Sequence, residues 1–299
     1  MKKLAFALLY LLGVTTFAAW WNRRRVVFLC YHGVTERSQR RVTDPTGLHV
    51  NHHRFAAQLD FLARRYRFIS LEEYLQARRE GRSLPDYSLV LTFDDGFRNF
   101  LTVAAPLLSA RGIPTTVFLI TGNAESRSEE NQDTTWQPTD DTTYLSWREA
   151  QFLREKYQID FGSHTCSHSP LMSLSSPEIV RELRQSREDL TRNLAIDYPA
   201  LSYPKGERSQ MLAAAARKQG YSCAVTTDRG ANEMEHDLFT LGRTLVGDAD
   251  DEMSLAVRVS GVRRWMASLR DFLVSRPKRN SAGNAAPVSQ AEAKFQLLD

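Results

Sequence analysis

Short apolar runs and capped amphipathic stretches alternate along most of this chain. Val26-Val27-Phe28-Leu29-Cys30-Tyr31 is apolar throughout and is closed by His32-Gly33, which predicts a fully buried strand. From His53 to Arg65 the apolar residues Phe55, Leu59 and Leu62 recur at helical spacing and share one face. Ser70 followed by Glu73, and Ser146 followed by Glu149, carry the spacing of helix N-terminal capping boxes. Ser88 to Phe93 repeats the buried-strand pattern and runs into Asp94-Asp95-Gly96, with a helical pattern from Phe97 to Ala110 in spite of Pro106. Further strands are predicted at Thr115–Ile120, Gln158–Phe161, Leu201–Pro204, Ser222–Thr226 and Leu241–Val246. Helices are predicted from Ser176 to about Asn193, from Ser209 to Gln219, and from Asp251 to about Leu273. Thr121 to Thr143 is polar and shows no apolar period, so it is expected as a surface loop.

Strands that alternate with helices seven or eight times predict a parallel sheet wrapped by helices. A barrel and an open doubly wound sheet both fit this count. No glycine-rich fingerprint follows the first strand, which removes the usual signature of a dinucleotide-binding fold.

The N-terminus departs from the pattern. Lys2 and Lys3 precede an almost unbroken apolar run from Leu4 to Trp21, and Asn22 and three arginines follow it. About 18 residues of helix at ~1.5 Å each reach roughly 27 Å, barely the thickness of a hydrocarbon core. Trp20 and Trp21 beside arginines resemble an interfacial belt. The expectation is one transmembrane helix, with a cleaved signal peptide as its rival. The flanking charges nearly tie in setting its orientation. Residues 1–25 are thus expected as an anchor or signal segment, 26–273 as the folded domain, and 274–299 as a disordered tail. The placement that follows is the bacterial inner membrane in a single pass, with the domain on the periplasmic side.

Bulk composition excludes more than it selects. There are 39 basic and 35 acidic residues, a formal net charge of +4, and no basic stripe interleaved with aromatics, so nucleic-acid binding is not supported. Three cysteines, Cys30, Cys166 and Cys223, fit neither a disulfide scaffold nor a zinc knuckle. Cys30 and Cys223 lie in apolar runs, where a thiol is ordinarily a small buried hydrophobe. No obligate protein partner is inferred.

The polar residues that could do chemistry converge on the C-terminal ends of predicted strands: His32, Asp94, Asp95, His164, and the segment around Tyr203-Pro204. In a barrel those ends form one face, where active sites are built. Asp-Asp-Gly alone is ordinary turn material, and a lone histidine pair is ordinary surface. Two adjacent carboxylates at the end of an apolar strand, however, are costly without a partner. His164 and His168, four apart on a helical turn, would point the same way. With Asp95 they make a set of two histidines and a carboxylate that suits one divalent ion, Zn²⁺ first, with Co²⁺, Ni²⁺ or Fe²⁺ as alternatives. Such an ion would hold Asp94 ionised as a base, and His32 would face the same cavity.

Thr92-Phe93-Asp94-Asp95-Gly96 and Ser163-His164-Thr165-Cys166-Ser167-His168 resemble the first two motifs of the NodB-type polysaccharide deacetylase family, and Leu201-Ser202-Tyr203-Pro204-Lys205-Gly206 resembles the third. The resemblance covers roughly Val26 to Leu273. It implies a distorted (β/α) barrel that removes acetyl groups from N-acetylglucosamine-type sugars, or occasionally acetate esters from xylan. Carried over residue by residue, Asp94 is the general base, and Asp95, His164 and His168 are the metal ligands. The Tyr203 backbone amide would help hold the oxyanion. Two departures stand out. Ser202 occupies a place where many members carry arginine, and Arg243 on a late strand is the candidate to orient the base instead. The family's late Leu-x-His motif is also missing, since His236 is the only histidine after His168. A subgroup acting on poly-N-acetylglucosamine exopolysaccharide is similar in having an early strand that ends Tyr-His, as Tyr31-His32 does here, and so His32 is expected as the catalytic acid. The rival expectations are an O-acetyl esterase and a non-catalytic glycan-binding barrel.

Overall fold

A computed structural model describes residues 2–36, 48–130, 143–228, 231–262 and 265. In chain order the elements are α1 (Lys2–Leu11), α2 (Val14–Trp21), β1 (Val26–Tyr31), β2 (Gly33–Thr35), β3 (His49–Asn51), α3 (His52–Ala63), β4 (Arg67–Ile69), α4 (Leu71–Glu80) and β5 (Ser88–Phe93). They continue with α5 (Ala105–Ser109), β6 (Thr115–Leu119), α6 (Thr121–Glu130), α7 (Trp147–Tyr157), β7 (Asp160–Ser163), α8 (Ser176–Leu194) and β8 (Ala200–Ser202). The last are α9 (Gln210–Lys218), β9 (Cys223–Val225), β10 (Ala231–Asn232), β11 (Thr244–Leu245) and α10 (Glu252–Val259). The expected tail, 274–299, lies outside the described residues.

Nine of the described strands form one curled sheet in the order β10-β1-β5-β6-β7-β8-β9, with β11 also on β1 and β4 also on β5, while β2 and β3 form a separate parallel pair. All pairs are parallel except β1 with β10. One short segment joins the two ends of the curl. The Leu241 amide donates to Ala224 and the Thr226 amide to Leu241, while Thr244 and Leu245 pair with Leu29 and Cys30 of β1. The sheet therefore curls as a barrel does, and the C-terminal ends of its parallel strands meet at one mouth.

Alternation along the strands explains what faces that mouth. Val26 and Phe28 of β1 share a cluster with Val90, Phe118, Val225 and Leu241, together with Leu71, Tyr74 and Leu75 of α4. The intervening Val27, Leu29 and Tyr31 pack instead with α3, α5 and α10. With a period of two, Cys30 follows Phe28 on the first face, and Thr92 and Asp94 follow Val90. Both strands thus change from apolar to polar as they approach the mouth.

Four local expectations need correction. The N-terminal run is not one helix. It breaks at Gly13, which adopts φ 72°, into two helices bent by 69°. No single described helix is long and apolar enough to cross a membrane. The segment after Asp95 is not a plain helix either, because Pro106 lacks the N–H that an α-helical turn would use. The chain widens into a π-helical turn over Phe100–Ala104, and α5 then starts with Pro106 in its first turn. The polar stretch expected as a loop opens as α6, seated by the Gly122 amide on the Cys166 carbonyl and by buried Ala124. Residues 131–142 of that stretch lie outside the described residues. Finally, His164 to His168 is an irregular loop rather than a helical turn, as described below.

Candidate active site

β5 delivers Asp94 to the mouth, buried and bonded through its amide to the Tyr31 carbonyl at 2.9 Å. The Arg243 guanidinium grips both carboxylate oxygens, Nη1 to Oδ1 at 2.7 Å and Nη2 to Oδ2 at 2.6 Å. Such a fork fixes direction as well as charge. Arg243 is itself fully buried and held on every side. It donates to Thr226 O at 3.1 Å, Thr92 Oγ1 at 3.0 Å and Ser202 Oγ at 2.8 Å, and it lies over the Phe118 ring. Ser202 Oγ donates to Asp94 Oδ2 at 3.1 Å, and Cys30 Sγ approaches the same oxygen at 3.3 Å. Burial alone would raise the Asp94 carboxyl, but Arg243 and His164 hold it well below the usual carboxylate range. Asp94 stays ionised without any metal.

Asp95 sits one residue on, at φ 69°, a left-handed conformation in which its carboxylate lies beside the two histidines. Its Oδ1 lies 3.5 Å from His164 Nε2 and 3.7 Å from His168 Nε2. Ligand atoms of these three residues all fall within 4.8 Å of one another. Asp95 Oδ1 is buried without a hydrogen-bond partner, which is a costly state for a carboxylate oxygen. Burial pushes its pKa up to about 7, with the Asp94 charge adding to the rise and Arg243 opposing it. His164 Nδ1 meets the Ser202 carbonyl at 2.8 Å, so that nitrogen carries the proton and Nε2 presents its lone pair. Burial lowers the His164 pKa to about 4 despite the Asp94 charge, and the ring is neutral. A neutral imidazole, a second one beside it and an unpartnered carboxylate oxygen are the donor set that a divalent ion needs, so these residues fit one.

The loop carrying the second histidine is built by local hydrogen bonds. Thr165 and His168 adopt φ 66° and 60°. Ser163 Oγ accepts from the Thr165 amide at 3.0 Å, and Thr165 Oγ1 accepts from the His168 amide at 3.1 Å. Glu182 of α8 accepts from the amides of Cys166 and Ser167 at 3.1 and 2.9 Å and from the Ser167 hydroxyl at 2.9 Å. These acceptors replace helical bonds, which is why the spacing of four does not form a helical turn.

His32 arrives at the same mouth from the end of β1, and its ligand atoms group with those of Cys30 and Asp94 within 4.8 Å. Its Nδ1 is buried without a partner, and burial lowers its pKa to about 4 against the pull of Asp94. Phe97 and Tyr144 stack at 5.2 Å beside the carboxylates and form an aromatic wall. Tyr203 does not take the place expected of it. Its amide donates to Val225 O at 3.1 Å within the sheet, and its hydroxyl reaches Phe239 O at 3.2 Å. That N–H is therefore not available to an oxyanion. Of the expected residues the fold brings together Asp94, Asp95, His164, His168, His32 and Arg243. Glu182, Ser202 and Cys30 join them without having been singled out for these contacts. A mid-helix glutamate and an apolar-strand cysteine carry no mark in sequence that separates them from a solvated face and a core filler.

Residues 81–224 match the family model described as polysaccharide deacetylase. Curated relatives include the poly-beta-1,6-N-acetyl-D-glucosamine N-deacetylase of Staphylococcus aureus, 25% identical over 211 residues that cover 67% of this chain and 68% of that one. The enzyme of the same name from Staphylococcus epidermidis is 26% identical over 208 residues, with the same coverage of 67% and 68%. Among solved structures, the Streptococcus pyogenes deacetylase PplD in complex with acetate is similar with a TM-score of 0.67, at 24% identity over 79% of this chain and 98% of that one. IcaB from Ammonifex degensii is similar with a TM-score of 0.64, at 23% identity over 79% and 97% of the two chains. At these identities the structural likeness speaks for the fold.

Proposed function

We propose that this chain, whose residues 81–224 match the polysaccharide deacetylase family model, hydrolyses N-acetyl groups on glucosamine units of a bacterial exopolysaccharide of the poly-β-1,6-linked kind, with one divalent ion held by Asp95, His164 and His168. The observation that carries this reading is the pairing of functions at the mouth. An ionised Asp94 gripped by Arg243 stands beside a cluster of two histidines and a carboxylate whose buried oxygen lacks a partner.

A divalent ion held by Asp95, His164 and His168 would supply Lewis acidity that no side chain here can provide. Asp94 takes the proton from the attacking water. Arg243, Ser202 and Cys30 direct its carboxylate and keep it in the ionised form that a base requires. His32, neutral at rest, receives the proton that Asp94 has taken from the water and passes it to the leaving amine, so it is charged only transiently. With the Tyr203 amide engaged and Pro204 lacking an N–H, the next amide of the turn belongs to Lys205, at φ 58°, and we assign it as the oxyanion donor. The Phe97–Tyr144 wall suits the apolar face of a sugar ring.

The test is acetate release from β-1,6-linked N-acetylglucosamine oligomers with and without chelator. Chelator-sensitive release, restored by a divalent metal, supports the reading. Release only from acetylated xylan would replace it with the esterase, and no release from a folded, metal-loaded chain would replace it with a glycan-binding barrel. Asp94→Asn should abolish turnover while metal content stays near one per chain, and retained turnover would remove Asp94 from its role.

A further inference from the structure

The first 21 residues are built the wrong way round for a soluble protein. In α2 the small residues Thr15, Ala18 and Ala19 face inward and are buried, whereas Phe17, Trp20 and Trp21, at the same helical spacing, face outward. α1 continues the pattern, with Leu4, Leu8, Leu11 and the following Leu12 exposed by 57–77%. Of the 11 exposed large hydrophobic side chains among the described residues, seven lie in this segment, so they form a patch rather than a scatter.

The segment is nonetheless not a loose tether. α1 and α2 pack against α10, and Asn22 Nδ2 donates to Ser260 O at 3.0 Å and to Ala18 O at 2.9 Å. The Arg23 carbonyl accepts from the Tyr87 amide at 2.6 Å. The bent pair is therefore fastened to the domain at the C-terminal end of α2 and along α10, with its large apolar side chains still outward.

Charge names the covering partner. A groove of about 690 Å³ runs between α2 and the end of α3, lined by Phe17, Trp20, Arg64, Arg65 and Tyr87. The Arg23 guanidinium stacks over Trp20 and pairs with Asp86, and Arg64 lies 3.9 Å from Glu252. Among the described residues Arg24 and Arg65 pair with no carboxylate. Tryptophans beside unpaired arginines at the rim of an apolar patch match the boundary of an anionic bilayer leaflet. A second copy of the chain would bring the same arginines face to face, which like charge disfavours.

We propose that α1 and α2 lie along an anionic phospholipid surface as a bent, docked anchor that does not cross the bilayer. The anchor meets the barrel at the N-terminal end of β1, beside Tyr87 at the start of β5, whereas Asp94, His164 and His32 lie at the opposite ends of their strands. Six residues of β1 at ~3.3 Å each set the mouth roughly 20 Å from that surface and facing away from it. The anchored protein thus meets polymer that has already left the bilayer. Only the orientation of the mouth rests on the deacetylase site proposed above.

The test uses the full chain with an N-terminal epitope and vesicles of phosphatidylcholine with or without phosphatidylglycerol. The chain should float with the anionic vesicles, and protease added outside intact vesicles should remove the epitope. The double variants Trp20→Glu/Trp21→Glu and Arg24→Glu/Arg65→Glu should each weaken partitioning by about tenfold or more. Both should leave the melting temperature and turnover of soluble oligomers unchanged. A protected epitope would show a spanning helix and overturn the proposal. So would dimerisation without vesicle binding, or a native chain that has lost residues 1–21. A fall in turnover of soluble oligomers when vesicles are added would overturn only the outward-facing mouth.

Discussion

Arg243 and Asp94 stand 149 residues apart in the chain, and the guanidinium holds both carboxylate oxygens, at 2.7 and 2.6 Å. Ser202 makes room for this. Its short hydroxyl lies between the two groups, accepting from Arg243 at 2.8 Å and donating to Asp94 at 3.1 Å. The small Ser202 side chain thus leaves room for the guanidinium of Arg243, which lies just before β11. Arg243→Ala should destabilise the chain by about 3–5 kcal/mol, because it strands a buried carboxylate, and Arg243→Lys should recover only part of that, since an ammonium cannot make the fork. The misdirected base should also cost roughly a hundredfold in kcat. Thermal denaturation and steady-state kinetics on the same samples check both. A fully active Arg243→Ala would exclude the positioning role.

Cys30 touches the Asp94 carboxylate, yet it should be chemically inert. Burial raises its thiol well above the ordinary value, with the Asp94 charge adding to the rise and Arg243 opposing it, and burial pushes Cys223 up to about 12. The thiolate is the reactive form, so raising the pKa suppresses alkylation. In native protein at pH 8, iodoacetamide should modify neither residue, and both should react after unfolding. Peptide mass spectrometry reads the outcome directly, and rapid native labelling of Cys30 would mean that the mouth opens wider than the fold described here.

The residues that show this chemistry in sequence are those whose context is costly. Asp94 and Asp95 end an apolar strand, where adjacent carboxylates need a reason. The parallel strands that carry them announce themselves as continuous apolar runs because both faces are covered. Arg243 was visible only as a candidate, since pairing across 149 residues depends on how the curl joins. The helical reading of His164–His168 failed because spacing carries no information about Glu182, which supplies the loop's hydrogen bonds from another element. The N-terminal run reads as one straight span because apolar length is legible in sequence and a left-handed bend at a single glycine is not. The Tyr203 amide is a related case: a motif gives residue types but not which N–H the sheet already uses, and this one donates to Val225 O.

Metal affinity should depend on pH through Asp95. Its carboxyl is raised to about 7 in the folded chain, chiefly by burial, whereas His164 is already neutral above about 4. A carboxylate with a raised folded pKa costs the metal-free protein stability above that value and nothing below its ordinary one. Binding a cation offsets the cost. The gain in melting temperature on adding Zn²⁺ should therefore grow from pH 5.5 to pH 8, and titration calorimetry should show protons released near neutrality. Asp95→Asn should flatten the pH dependence and lose most of the affinity. An equal gain at both pH values would place the ion on other ligands.

Glu182 offers the sharpest separation between holding a ligand and being one. Its carboxylate binds the amides of Cys166 and Ser167 and the Ser167 hydroxyl, and so it fixes the loop that presents His168 without reaching the metal cluster itself. Glu182→Ala frees those amides to solvent on a half-exposed loop, so the fold should survive with little loss of stability. The His168 side chain, however, would no longer be held for binding. Outer partners of this kind typically change metal affinity by about 10–100-fold, and that is the expected loss here. Saturating metal should restore most of the turnover, because the ligand itself remains. Glu182→Gln, which keeps one acceptor oxygen, should fall between the two. Turnover that stays low at saturating metal would mean that the loop shapes the substrate site rather than the ion.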